Sequence, residues 1–353
     1  MAAPESVLIL AGGRGERFWP WSRPGLPKQL LPLAGDRTLL EATLDRVAGL
    51  APPERTWILT GRDLADAVER AAAGRARVVA EPVGRNTAAA AGLGARLALE
   101  HGAGGPMAVL PADHLIPDRD AFLATARRAL DLAAREPLLV TLGIAPQRPE
   151  TGYGYIERGE ALPGADGGHR VRSFREKPDA ATAERFLAAG GFYWNSGMFF
   201  WRPEVLLAAL RDCRPALAAG LERLAGRLAG DGRDAALAEV FPGLESISVD
   251  YAVMERAGNA AVLEAGFDWD DLGSWGAWAR RQPRDAAGNV AVGKALALDA
   301  EECVVLGGES PVVVLGGRRL IVVQRPGGTL VCPLERAEDV RRVVAELERR
   351  GWS

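Results

Sequence analysis

The sequence predicts an α/β fold: a doubly wound, mostly parallel Rossmann-like sheet, followed by a small β unit and a terminal helix. Three observations predict it. From residue 7 to residue 142, short apolar runs alternate with helical patterns of about ten to fifteen residues. Glycines and charged residues gather just after those runs, where ligands sit in sheets of this kind. From about residue 290 onward the helical period gives way to short apolar segments divided by glycine turns.

Residues 7–10 (VLIL) have the length and composition of a buried parallel strand. The chain then turns through Gly12, Gly13 and Gly15, with Arg14 and Arg17 interleaved, and closes on Pro27-Lys28. Backbone N–H groups of a glycine-rich loop can approach an anion closely, and arginines add charge and forked donors. The glycines alone identify no ligand: the loop lacks both the GxGxxG spacing and the GK[ST] of a P-loop. Arg14, Arg17 and Lys28 tip the reading toward a phosphate cradle.

Residues 38–50 read as an amphipathic helix with Leu39, Leu40, Leu44 and Val47 on one face. Residues 57–60 form a second strand, 64–73 a helix, and 77–80 a third strand. That strand runs into Glu81-Pro82, then Gly84-Arg85-Asn86-Thr87, then an alanine-rich helix to about residue 100. Residues 107–110 are a fourth strand ending in Pro111-Ala112-Asp113-His114; 121–135 are a helix and 138–142 a fifth strand. The loops after the first, third and fourth strands are expected to meet in one nucleotide-sized crevice.

Beyond residue 150 the rhythm changes. Residues 151–156 (TGYGYI) look strand-like, 171–174 form a strand leading into Arg175-Glu176-Lys177-Pro178, and 182–189 a helix. Residues 192–201 (FYWNSGMFFW) are dense in aromatics, which is mostly a core signature, but Asn195-Ser196-Gly197 reads as a polar turn. Residues 206–228 are helical, a further helix starts at 248–251, and 269–275 read WDDLGSW. The tail is a small β unit with a helix over 336–350, and packing or self-association is its expected role.

Composition narrows the function. The chain has 353 residues and a net charge of −3, without a basic patch that would point to nucleic acid. No apolar run approaches the roughly 18 residues a membrane span needs, and no basic stretch of a secretory leader precedes the first strand. Cys213, Cys303 and Cys332 are scattered, which fits a reducing cytoplasm rather than a disulfide frame. Of the 43 basic residues only Lys28, Lys177 and Lys294 are lysines. A lysine retained in so arginine-rich a chain marks a position where arginine does not serve; Lys28 and Lys177 both fall in suspect motifs.

A basic cradle points to a polyphosphate, and carboxylates at loop ends point to its metal. Asp113 and Asp271 could meet over one Mg²⁺, which takes one or two carboxylates plus phosphate oxygens. Against that, most aspartates are solvated or cap helices, and Asp271 before Leu-Gly-Ser also fits an N-cap. His114 fits a helix-start or packing role at least as well as that of a base. Arginine, lysine and Mg²⁺ around phosphates are what phosphoryl or nucleotidyl transfer needs.

Taken together, the motifs resemble the sugar-1-phosphate nucleotidyltransferases, and within them the mannose-1-phosphate guanylyltransferase branch. The matching stretches are AGGRGERFWPWSRPGLPKQ at 11–29, EPVGRNTAAA at 81–90, PADH at 111–114, TGYGYI at 151–156, FREKP at 174–178, WNSGMFFW at 194–201, SVDYAVME at 248–255 and WDDLGSW at 269–275. They stand in the family's order over about the first 280 residues. One departure is Ala89, where the family often has proline.

The resemblance implies a nucleotidyltransferase domain over 1–285 and a left-handed β-helix-like domain over 286–353. It implies transfer of GMP from GTP to α-D-mannose 1-phosphate, releasing pyrophosphate, with Mg²⁺ and direct in-line attack. By it, Ala11, Gly12, Gly13, Arg14 and Gly15 hold the triphosphate, Arg17 and Lys28 are catalytic, and Glu81, Gly84, Arg85, Asn86 and Thr87 face the base. Asp113 and Asp271 bind the metal, with Asp113 also touching substrate. Gly152, Tyr153, Glu176 and Asn195 take the sugar, and Lys177 the sugar phosphate. It also implies a cytoplasmic homodimer. Two rivals stay open: the same chemistry on another hexose 1-phosphate or nucleotide, and a non-catalytic sugar-nucleotide sensor. The sensor would be expected to lose part of the basic loop or an acidic ligand, and neither loss is seen. The tail is expected to be too short for a fused isomerase half.

Overall fold

The computed structural model describes residues 5–352; residues 1–4 and 353, at the ends of the two expected domains, lie outside them. In chain order the first half alternates as expected: β1 (Ser6–Leu10), α1 (Leu39–Val47), β2 (Thr56–Gly61), α2 (Ala65–Ala72), β3 (Arg77–Glu81), α3 (Asn86–Glu100), β4 (Met107–Pro111), α4 (Arg119–Arg135) and β5 (Leu139–Ile144). Then come β6 (Tyr155–Ala161), β7 (Gly168–Arg175), α5 (Ala180–Ala189), β8 (Phe192–Trp201), α6 (Pro203–Cys213), α7 (Pro215–Glu222), α8 (Arg233–Val240), β9 (Ala260–Glu264) and α9 (Trp275–Arg280). The tail holds β10 (Val290–Val292), β11 (Ala295–Leu298), β12 (Val304–Leu306), β13 (Val312–Leu315), β14 (Leu320–Arg325), β15 (Gly328–Pro333) and α10 (Val340–Arg350).

These elements form two compact units. The first takes the described residues of Met1–Gly12, Thr43–Ala112 and Ile116–Trp269. It holds a nine-stranded sheet in the order β3-β2-β1-β4-β8-β5-β9-β7-β6. β1 to β4 are parallel, as are β5 and β9, whereas β8 runs against β4, β5 and β6, and β7 against β9 and β6. The sheet is therefore mostly parallel, with β7 and β8 reversed. The continuous apolar runs that mark its parallel strands follow from burial on both faces; Leu8, Ile9 and Val109 are fully buried. The alanine-rich stretch becomes α3, and its small residues have a packing reason. A Cβ at Gly94 would meet Leu8 Cδ1 of β1 at 2.9 Å, so this helix lies almost directly on the strand.

Three expectations change here. Asn195-Ser196-Gly197 is not a turn. β8 runs through it, and the β5–β8 register shifts between Thr141 and Gly143, with Gly197 at φ 68°. The polar triplet is a bulge, which re-aims Asn195 without ending the strand. The helix expected over 206–228 is broken at Arg214-Pro215, since proline cannot donate to a continuing helix. Residues 151–154 are a bend before β6.

The second unit takes Gly13–Ala42, Asp113–Leu115 and the described residues of Asp270–Ser353. β10, β12 and β14 stack in parallel, as do β11 and β13, and β15 folds back on β14. This β coil shares one core with the glycine loop and the WDDLGSW segment: Phe18, Leu31, Leu272, Trp275 and Trp278 pack with Val304, Leu306, Ile321 and Val323. Trp275 meets the Phe18 ring at 5.0 Å and donates from Nε1 to Trp19 O at 3.1 Å. Trp278 donates to Leu33 O at 2.9 Å. The loop after β1 is thus clamped by buried tryptophans whose N–H groups find carbonyl partners, as buried indoles require. Among the described residues no helix is long and apolar enough to cross a membrane.

Candidate active site

In the second unit, a cleft of about 510 Å³ is lined by Arg14, Gly15, Glu16, Arg17, Phe18, Lys28, Asp113, His114, Asp271, Gly273 and Arg341. Residues from distant positions in the chain meet here. Lys28 opens the short 3₁₀ turn Lys28–Leu30 and is buried. Its Nζ stands 2.8 Å from Asp113 Oδ2 and also donates to the backbone oxygen of Asp271. Gly15 makes this possible. It sits in the left-handed region at φ 65°, and a Cβ there would lie 2.5 Å from the Lys28 nitrogen. Ser22 Oγ donates to Gly15 O at 2.7 Å and steadies the turn.

Arg17 donates from Nη1 to Gly273 O at 3.3 Å and pairs through Nε with Glu338 at 3.0 Å. Arg14 stands 4.0 Å from Glu348 and is largely exposed. Asp271 accepts from Gly273 N at 2.9 Å, which orients its carboxylate within the turn. Its neighbour Asp270 does a different job. It is buried, accepts from Leu272 N at 2.8 Å and approaches Arg281 Nε at 3.4 Å. One aspartate of the pair builds the turn and the other faces the cleft.

Burial acts to raise the pKa of Asp113, but the Lys28 ammonium and then His114 overturn it. The carboxyl is held below its ordinary range. Among the described residues no group of three or more His, Cys, Asp or Glu side chains forms a metal cluster. The carboxylates that line the cleft are Glu16, Asp113 and Asp271, and Asp113 and Asp271 offer hard oxygen donors beside Arg14 and Arg17. That donor set fits a cation that keeps phosphate oxygens in its shell.

In the first unit, Ala11 and Gly12 follow β1. Ala11 N donates to Leu59 O at 2.8 Å. Glu81, at the end of β3, is buried, and its Oε2 would be 3.8 Å from a Cβ at Gly12. Its Oε1 has no hydrogen-bond partner among the described residues, and burial pushes its pKa up to about 7. A buried carboxyl with an unsatisfied oxygen is a group poised for an incoming donor. Gly84 is open and Asn86 takes φ 61°, accepting from Thr87 N through Oδ1 at 2.8 Å. Arg85 and Thr87 are used by the fold: Arg85 donates to the carbonyls of Phe241 and Pro242, and Thr87 Oγ1 accepts from Val249 N at 2.9 Å.

A second polar cluster in this unit gathers the residues expected to face a sugar. Asn195 donates to Asp250 at 2.8 Å and its own carbonyl accepts from Gly197 N at 3.2 Å. Lys177, at φ 45°, donates to Glu176 at 2.8 Å. Glu176 Oε2 is buried with no partner among the described residues. Gly154 permits this convergence, since a Cβ there would collide with Glu176 Oε2 and lie 3.3 Å from Asn195 Cβ. Asp250 and Glu255 frame a five-residue π-helical turn, Asp250–Met254, and Glu255 accepts from Glu176 N at 3.2 Å. Single π-turns often mark functional positions. Burial, then Glu176, pushes the pKa of Asp250 up to about 6. Tyr153 is packed edge-on against Trp194 and Trp269, and Gly152 lies in an exposed turn held by Glu150.

Sequence reasoning missed Asp250 and Arg341. Asp250 stands within SVDYAVME, where an acidic residue among apolar ones at a helix start was a usable signal. Arg341 is one arginine among many in the tail and offered none.

Comparison with known proteins gives the chain's relatives. The Nucleotidyl transferase family matches residues 6–288, and the MannoseP isomerase/GMP-like beta-helix domain matches 293–347. Proteins named Mannose-1-phosphate guanylyltransferase from Klebsiella pneumoniae and Escherichia coli are each 39% identical over 350 residues, covering 97% of this chain and 74% of the relative. A crystal structure described as mannose-1-phosphate geranyltransferase from Thermus thermophilus superposes with a TM-score of 0.88 at 42% identity, covering 99% of this chain and 100% of that one.

Proposed function

We propose a function from one premise: the chain belongs to the nucleotidyl transferase family and is an enzyme of sugar-1-phosphate nucleotidyl transfer. The finer reading is transfer of GMP from GTP to α-D-mannose 1-phosphate, giving GDP-mannose and pyrophosphate. The observation that carries it is Lys28, a buried ammonium held between the Asp113 carboxylate and the Asp271 carbonyl in a cleft that also presents Arg14 and Arg17. Fixed positive charge around a polyphosphate is what such a reaction requires, since alignment and charge neutralisation do most of the catalysis.

In this reading a sugar-phosphate oxygen attacks the α-phosphorus, a new O–P bond forms, and the bond to the bridging oxygen of the departing pyrophosphate breaks. Lys28 neutralises charge growing on the α-phosphoryl oxygens. Arg17 steadies the departing phosphates, and Ala11, Gly12, Gly13, Arg14 and Gly15 supply the cradle. Asp113 and Asp271 would hold Mg²⁺, which when bound neutralises phosphate charge. Glu81 reads guanine by accepting from its N1–H and exocyclic amine, with Gly84 and Asn86 alongside; Arg85 and Thr87 serve by shaping that loop. Glu176 and Asn195 take sugar hydroxyls with Asp250 behind Asn195, Gly152 and Tyr153 border them, and Lys177 meets the sugar phosphate.

The test is a panel of nucleoside triphosphates and hexose 1-phosphates assayed for pyrophosphate release with and without Mg²⁺. The expected result is turnover strongest with GTP and mannose 1-phosphate and lost on chelation. Turnover strongest with another pair would replace the substrates and keep the chemistry. Residues 1–285 as catalytic domain and 286–353 as β-helical domain remain the proposed modules. The core shared by Phe18, Trp275 and the β coil leads us to expect that a 1–285 fragment loses the cleft. A cytoplasmic homodimer is part of the same proposal, supported by exposed Leu296, Leu298, Val313 and Leu315 on paired strands β11 and β13; light scattering would test it.

A further inference from the structure

The cleft's remaining arginine comes from the C-terminal helix. Glu338, Arg341 and Glu348 lie three and seven residues apart, along one face of α10 and the turn before it. That face turns toward the glycine loop. Glu338 reaches Arg17 at 3.0 Å, Glu348 reaches Arg14 at 4.0 Å, and Arg341 lines the same cleft. Arg14 and Arg17 each already have a carboxylate. Arg341 has no hydrogen bond or ion pair among the described residues, while its neighbours Arg336 and Arg342 both pair with Asp339. At Arg17 and Arg14 an entering anion shares the guanidinium with a nearby carboxylate, which offsets part of the charge, whereas the charge of Arg341 is shared with none. Side-chain exposure rises from 8% at Lys28 through 38% at Arg17 to 73% at Arg14, so the outer end of the cleft is the wet end.

We propose that Arg341 is a phosphate-binding residue delivered to the cleft by the C-terminal helix, and that it grips the terminal phosphates rather than the reacting one. The inference rests on the polyphosphate reading of the cleft. It turns the tail helix from a packing element into part of the substrate site.

The experiment uses the full chain, with Arg341→Ala, Arg341→Lys and, as a control outside the cleft, Arg342→Ala. Inorganic tripolyphosphate and pyrophosphate are titrated calorimetrically into each, and initial rates are measured over both substrates. A lost charge-assisted hydrogen bond is worth about tenfold or more in affinity. Arg341→Ala is therefore expected to weaken tripolyphosphate binding about tenfold and raise the KM for the nucleoside triphosphate similarly. The kcat should stay within about threefold, and the KM for the sugar phosphate should not move; these limits follow from uniform binding. Arg341→Lys should recover part of the loss and Arg342→Ala should resemble wild type. A fall for tripolyphosphate alone places the contact on bound nucleotide; a fall for both anions places it on departing pyrophosphate; either supports the proposal. Unchanged binding of both anions to a normally melting Arg341→Ala overturns it. Absence of nucleotidyl transfer by the wild type would count against the enzymatic reading, while the anion titrations would still decide the role of Arg341.

Discussion

Glu81 and Asp113 are carboxylates near strand ends, one ending β3 and the other two residues beyond β4, yet the fold shifts their pKa values in opposite directions. Burial pushes both pKa values upward. At Glu81 nothing answers it, and the group rises to about 7. At Asp113 an ammonium 2.8 Å away answers it, and the carboxyl ends below its ordinary range. A strand end thus supplies a carboxyl partly or wholly withdrawn from water, and its neighbour decides what it is for. One that stays charged can hold cations. One that titrates near neutrality can match a base edge that brings its own N–H donors.

The comparison breaks most completely at Lys28. Lys28→Met should leave the half-buried Asp113 without its partner, raise its pKa toward the behaviour of Glu81, and cut turnover by about a thousandfold or more. Lys28→Arg should still lose about a hundredfold, because a planar guanidinium cannot replace a compact ammonium between Asp113 and the Asp271 carbonyl. Rates of pyrophosphate release check both, and near-normal turnover of Lys28→Arg would remove Lys28 from catalysis.

Next come the metal candidates. Asp113→Asn and Asp271→Asn are each expected to lower Mg²⁺-dependent turnover by about a hundredfold, with less loss of thermal stability. Asp270→Asn should show the reverse: a stability loss of about 1–3 kcal/mol by denaturant unfolding, from weakening a buried carboxylate held by Leu272 N and Arg281, with turnover changed less than about tenfold. If Asp270→Asn and Asp271→Asn behave alike, the division of labour in the pair is wrong.

A smaller effect is expected at Gly15→Ala. Its methyl would press on the Lys28 backbone at a positive φ, costing roughly 1–3 kcal/mol of stability and disturbing the ammonium. Calorimetric melting and KM measurements separate the two consequences.

The smallest effect on turnover is expected at Glu81→Gln, which sharpens the comparison through pH. A folded pKa near 7 against an ordinary 4.5 means the folded state binds the extra proton between those values. Glu81 therefore costs the wild type stability as pH rises from about 4.5 to about 7, by at most roughly 3 kcal/mol. Glu81→Gln should match the wild type near pH 4 and exceed it at pH 8, while its preference for GTP over ATP narrows. Asp113 works in the opposite sense. Its contribution is present above about 3.8 and is lost only as pH falls through its lowered folded value. Unfolding curves of the wild type and Glu81→Gln at pH 4 and pH 8 test the first sign, and wild-type curves carried below about pH 3.8 test the second.

Much of this was legible in the sequence. The strands of the parallel half announce themselves as apolar runs because both sheet faces are covered. The loop after β1 announces itself because glycine and arginine together serve few purposes. The scarcity of lysine singled out Lys28, and the structure places that side chain against Asp113. Less legible were features that depend on a partner far away in the chain. Asn195-Ser196-Gly197 has turn composition, but pairing with β5 carries the strand through it. Arg85 stands in a loop rich in binding signals, yet its guanidinium is occupied by carbonyls more than 150 residues on.

The order of residues was enough to lay out the alternation of strands and helices, the positions of the glycine turns and the charged groups that stand at the strand ends. Polarity period, φ preference and side-chain chemistry are local properties that a few neighbouring residues express. Contacts between distant residues set which carboxyl is pushed up and which is held down, which aspartate of the pair faces the cleft, which arginines are already occupied and that a helix from the tail lines the glycine loop's cleft. Those outcomes depend on burial and Coulomb interactions, which act over ångströms of space whatever the separation along the chain.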